Sequence, residues 1–224
     1  PDLDEPNIEL DPTDLPAGAD SGLLLHDLFE HVELQTLRDA ATAEAWHADP
    51  EIAQLVADKA RERGIAEVYL PHAARVVHAT LTQPLALVDG STLPPLVDAT
   101  AFARELEFTY PIPGGATAQP KGLVKGFIDV LCAYGDDLWV LDYKSDLLLG
   151  PDFATAAKAR AKEHYSIQAR LYALAADKLR GGRRFAGLLF AFVRYGVVVP
   201  MPVDDSHLAQ WSTWLANLRT EIPR

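Results

Sequence analysis

The chain has 224 residues, 49% of them hydrophobic, a formal net charge of −12 and one cysteine, Cys132. That is enough apolar material for one buried core, while no run approaches the ~18 uninterrupted apolar residues of a membrane span. A lone cysteine excludes an intrachain disulfide and an iron–sulfur cluster held by four thiolates, and it suits a reducing compartment.

Residues 1–20 are acidic, carry four prolines and lack periodicity, so a flexible linker is expected there. Residues 21–224 are expected to form one domain. Asp20 or Ser21 is expected to cap a first helix whose apolar stripe is Leu24, Leu25, Leu28, Phe29 and Val32. Ala-rich helical periodicity covers 40–63, and a further helix is expected over 71–82. Pro84, Pro94 and Pro95 break the connection to a short helix at 97–103. A strand near 104–110 and a Pro/Gly loop at 111–122 come next. Two runs rich in β-branched and aromatic residues then flank Gly135-Asp136-Asp137, the pattern of an antiparallel hairpin. The longest helical pattern, 153–180, stops at Gly181-Gly182. Strands at 185–192 and 197–199 precede a last amphipathic helix, 204–219, with Trp211, Trp214, Leu215 and Leu218 facing inward. No internal repeat occurs.

The chemistry concentrates in the hairpin. Asp142 and Lys144 are two residues apart in its second strand, so their side chains leave one face. Counting back from the turn sets Asp129 opposite Asp142 and Tyr143. Two carboxylates and an ammonium would meet at one sheet edge. Hard oxygen ligands suit Mg²⁺, which lowers the pKa of a bound water and polarises a phosphate, and a neighbouring Lys can stabilise the developing charge. The competing reading is a buried salt bridge between Lys144 and Asp142. Glu105 and Glu107 share a strand face by the same period, with Glu107 preferred as a supporting ligand. Gln168 and Tyr172, spaced i and i+4, share a helix face. Charge is uneven: residues 1–60 carry 2 Lys/Arg against 15 Asp/Glu, whereas 150–194 carry 9 against 3. Arg160 and Arg170 are the preferred phosphate contacts in that basic stretch; a solvated helix exterior is the alternative.

Four ordered elements resemble the C-terminal nuclease domain of RecB- and AddA-type helicase–nucleases, within the PD-(D/E)xK superfamily. They are Leu24 to Glu30 around His26, Arg104 to Phe108, Gly126-Phe127-Ile128-Asp129 with Asp142-Tyr143-Lys144-Ser145, and Gln168 to Tyr172. The resemblance implies an α/β fold, a central mixed β-sheet flanked by helices, with a restriction-endonuclease-like core and a helical insertion. It makes Asp129, Asp142 and Lys144 catalytic, with Gln168, Tyr172 and Glu107 supporting. His26, Asp129, Asp142 and the Tyr143 backbone carbonyl become ligands of Mg²⁺, or of Mn²⁺. On residues alone, His26 reads first as the flank of an amphipathic helix. The helical stretch 40–100 becomes a decoration and a candidate docking surface.

In function, the resemblance implies a bacterial, cytoplasmic DNA nuclease that cuts strands delivered by a helicase in recombinational repair. DNA, as single-stranded ends, and a helicase motor in the same polypeptide or complex are the implied partners. No G-x-x-x-x-G-K-[ST] phosphate loop occurs in the chain, so any motor lies outside it. Two alternatives stay open: a stand-alone nuclease of the same superfamily, and a silent nuclease fold kept as an interaction module.

Overall fold

A computed structural model describes residues 11–114 and 119–218. A five-stranded sheet in the order β3-β4-β5-β6-β7 forms its centre: Ala101–Ile112, Gly122–Tyr134, Asp137–Lys144, Arg184–Phe192 and Val197–Pro202. Only β5 and β6 run parallel, which requires the crossover supplied by α6 (Phe153–His164) and α7 (Ser166–Leu179). The expected α/β class with a mixed, helix-flanked sheet is what the chain forms.

One face of the sheet is covered by α1 (Ala19–His31), α2 (Leu34–Asp39), α3 (Ala43–His47), α4 (Pro50–Glu62) and α5 (Leu70–Thr82). The opposite face carries α6, α7 and α8 (Asp205–Asn217). A small ribbon, β1 (Leu85–Ala86) with β2 (Thr92–Leu93), follows α5 in the chain, and β1 packs beside β7. Local chemistry fixes these helices. Asp49 caps α4 by accepting from the N–H groups of Glu51 and Ile52, Pro50 starts the helix, and Ile52, Val56 and Ala60 form its buried stripe. Asp204 and His207 form a reciprocal cap on α8. Leu24, Leu25 and Leu28 of α1 are fully buried, each worth roughly 1.5–3 kcal/mol.

Several expectations are corrected. The stretch 40–100, expected as a decoration, contributes to the core itself: Trp46, Val56, Val77 and Leu81 pack with Val130, Cys132 and Leu141 of the sheet. The expected flexible linker splits in two. Residues 1–10 lie outside the described residues, but Leu15 is fully buried, its N–H donates to His72 Nδ1 at 2.7 Å, and its carbonyl accepts from Arg194 at 2.8 Å. Helix α1 begins at Ala19, so Gly18 stands at its N-cap and neither Asp20 nor Ser21 does. The short helix expected at 97–103 is a single 3-10 turn, Leu96–Asp98, because the edge strand already starts at Ala101. The 153–180 helix breaks at Tyr165, where φ −112° and ψ 4° leave the helical region. On α8, Trp211 and Leu215 are buried, whereas Leu218 lies past the last turn and is exposed.

Candidate active site

The β4–β5 ladder runs from Tyr134↔Asp137 to Val130↔Leu141 and stops one step before Asp129 and Asp142. There the strands part, and a side chain replaces the missing backbone partner: Asp129 Oδ2 accepts the Tyr143 N–H at 2.8 Å. Asp142, 2% exposed, turns to α7, where its Oδ1 accepts from Gln168 Nε2 at 2.8 Å and its Oδ2 meets the Lys144 ammonium. Lys144 also donates to Gln168 Oε1 at 3.0 Å and lies 4.0 Å from the centre of the Tyr165 ring. Gln168 donates further to the Tyr172 hydroxyl at 2.9 Å. The Asp142–Lys144 salt bridge therefore exists, but inside a network with a second carboxylate beside it.

His26 arrives from α1, which docks tightly on the end of β5. A Cβ at Gly22 would meet Ser145 Oγ at 2.7 Å, so only glycine allows this approach without displacement. Phe29 stacks on Tyr143 with ring centres 4.0 Å apart. This docking brings His26 Nδ1 to 3.7 Å from Asp129 Oδ2.

Glu105 completes the cluster, and the period-two rule fails at it. Its φ of +45° is the one positive value outside glycine among the described residues, and it drops out of a ladder that pairs Arg104↔Val130 and Leu106↔Ile128. Such a conformation costs an L residue of order 1–3 kcal/mol. As a result both Arg104 and Glu105 lean toward α1: Arg104 donates to the Glu30 and Val32 carbonyls, and Glu105 joins His26 and Asp129. Glu107, the one of the two preferred as a supporting residue, is exposed opposite Phe127 and outside the cluster. The structure thus brings together His26, Asp129, Asp142, Lys144, Gln168 and Tyr172 of the expected set, and replaces Glu107 by Glu105.

Donor atoms of His26, Glu105 and Asp129 all lie within 4.8 Å of one another. Asp142 sits beside them with its oxygens turned to Gln168 and Lys144. Burial raises the Asp142 carboxyl well above its ordinary range, and the Asp129 charge pushes it further, against the pull of Lys144 and His26. Burial also raises Asp129; the Tyr143 N–H opposes this, and Glu105 adds to it. Glu105 is raised by burial, while burial lowers His26 and keeps its imidazole neutral. Three crowded carboxyls and a neutral imidazole are a donor set that a hard divalent cation fits: the ion supplies the charge the pocket lacks. Among the described residues, that ligand set is oxygen-rich with one nitrogen.

A tier behind the site holds it in place. The Phe108 ring lies across Gly126, where a Cβ would meet Cζ at 2.8 Å, and edge-on to Tyr172 at 5.8 Å. Asp146, two residues past Lys144, accepts from the Tyr165 hydroxyl at 2.6 Å and from Arg160 Nε at 2.8 Å. Sequence reasoning passes over Asp146 and Tyr165, and prefers Glu107 to Glu105. The strand period marks Glu105 and Glu107 alike and does not choose between them, whereas Asp146 lies past the end of β5, where that period no longer applies.

The basic stretch is partly committed elsewhere. Arg160 is held by Asp146; Arg170, two residues from Gln168 and so across the helix, lies 5.0 Å over the Trp214 ring; Arg184 is bound to Asp137. Arg194 donates to the carbonyls of Ser145, Leu15 and Pro16. Arg170 accordingly faces α8, away from the carboxylates.

The sequence matches the PD-(D/E)XK nuclease superfamily over residues 5–224. The chain belongs to that superfamily. It is also 27% identical over 256 residues to the RecBCD enzyme subunit RecB of Escherichia coli (strain K12), covering 98% of this chain and 20% of that subunit. The resemblance to a RecB-type nuclease domain is borne out, and the chain spans about a fifth of this relative's length.

Proposed function

We propose that the chain is a metal-dependent deoxyribonuclease domain that hydrolyses phosphodiester bonds. The observation that carries this reading is the meeting of Asp129, Asp142 and Lys144 with His26 and Glu105 where β4 and β5 part. Asp129, Glu105 and His26, with Asp142 and the Tyr143 carbonyl at hand, would hold a divalent cation, Mg²⁺ or Mn²⁺. When bound, such an ion supplies an activated water and a counter-charge for the scissile phosphate. Lys144 is charge-stabilising and positions the attacking water. Gln168 holds Lys144 and Asp142 in register, and Tyr172 fixes Gln168.

The similarity to RecB supports a setting beside a helicase motor that delivers DNA ends in double-strand-break repair and recombination, in the bacterial cytoplasm. The helical stretch 40–100 is then the face turned to the rest of the assembly. Among the described residues, no helix is long and apolar enough to cross a membrane.

Labelled single-stranded DNA at low salt, with Mg²⁺, Mn²⁺ or EDTA, tests the reading. Metal-dependent cleavage that Asp142→Ala abolishes is expected. Asp142→Ala should stay folded without metal, because it removes carboxylate repulsion. Cleavage at an unaltered rate by the variant would refute the site. Absence of both cleavage and metal binding in the wild type would favour an interaction module.

A further inference from the structure

Beyond Glu105 and Asp129, strands β3 and β4 continue as a two-stranded ribbon. One side of it, with Leu106, Phe108 and Ile128, packs on the α6–α8 layer. On the other side Glu107, Thr109 and Pro111 pair with Phe127, Lys125 and Leu123, and all six are exposed. Phe127 is 53% exposed, an aromatic ring that the α1–α5 layer leaves uncovered. It lies two residues before Asp129 on the same side of β4, roughly 7 Å along the strand from the catalytic carboxylate.

We propose that Phe127 is a stacking platform for the nucleobase next to the scissile phosphate, with Lys125 meeting a phosphate further along the same strand. This rests on the nuclease reading above and specifies its substrate as an unpaired strand. An exposed ring beside a backbone-tracking cation is how single strands are held without sequence preference, since every base offers a π-face. A base inside a duplex has both faces covered by its neighbours and cannot offer one. Glu107, opposite Phe127, repels phosphate at this point and so favours a base there over the backbone. The surface is continuous with the metal-ligating cluster and lies on the opposite side of the sheet from Arg160 and Arg170.

The test is fluorescence anisotropy of a labelled single-stranded oligonucleotide with the full chain at low salt, Ca²⁺ replacing Mg²⁺. Wild type is compared with Phe127→Ala, Phe127→Leu and Phe127→Trp. Loss of one base stack weakens binding about five- to hundredfold in the Ala and Leu variants, and Trp restores it. An oligonucleotide made abasic throughout should bind wild type as weakly as it binds Phe127→Ala. In cleavage with Mg²⁺, the rise in KM should exceed the fall in kcat. Equal binding by wild type and Phe127→Ala would overturn the proposal, as would full rescue by Leu or an equal penalty on the abasic strand. If the wild type never cuts yet distinguishes bases from abasic sites through Phe127, the nuclease reading falls and the stacking site stands.

Discussion

Gly126→Ala is expected to damage the site from behind without touching a catalytic residue. The new Cβ would lie 2.8 and 2.9 Å from Phe108 Cζ and Cε1, against an ordinary carbon–carbon contact of about 3.5–4.0 Å. The ring must therefore retreat by roughly 0.6–1.2 Å. It has little room, being 6% exposed and set against the edge of Tyr172. Tyr172 accepts from Gln168, and Gln168 holds both Asp142 and Lys144. Overpacking of this kind costs about 1–3 kcal/mol. For a chain of this length that lowers Tm by roughly 2–12 °C. A misplacement near 1 Å at the chemistry costs about a hundredfold in rate. Thermal melts and cleavage rates on Gly126→Ala, Phe108→Leu and the double variant form a cycle. The double variant should recover much of the lost rate and stability, because leucine vacates the space the new methyl needs. Wild-type melting and cleavage in Gly126→Ala, or purely additive losses in the double variant, would refute the argument.

Two further outcomes concern the electrostatics and the N-terminal anchor. The folded chain retains the protons of Asp142, Asp129 and Glu105 to higher pH than the unfolded chain does. Their contribution to stability is thus complete below the ordinary carboxylate range and is lost as pH rises toward neutrality. A divalent cation reverses that loss, so the gain in Tm on adding Mg²⁺ should grow over the same interval; a gain independent of pH would contradict the assigned ligands. Arg194→Met should leave the partly buried carbonyls of Leu15, Pro16 and Ser145 without this donor and destabilise the chain by roughly 1.5–3 kcal/mol. Urea unfolding measures this, and a wild-type midpoint would show that residues 11–18 are not pinned through this guanidinium.

What the sequence determined is what short-range geometry determines. A strand's period of two puts Asp142 and Lys144 on one face whatever surrounds them, and a two-residue turn sets Asp129 against the end of β5. Helix spacing likewise joins Gln168 to Tyr172. Tertiary structure decided the rest. The strand period offers Glu105 and Glu107 alike; it is Glu105, whose backbone leaves the extended region, that joins the cluster. Arg170 and Gln168 lie on one helix, but the positions of α8 and the sheet determine which of them meets the carboxylates. Residues 11–18 look like a linker by composition, yet Leu15 is fully buried in the core, and His72 and Arg194, 57 and 179 residues away, satisfy its backbone groups. Periodicity reports which way a side chain leaves its own element; which partner waits there depends on chain segments far away in sequence.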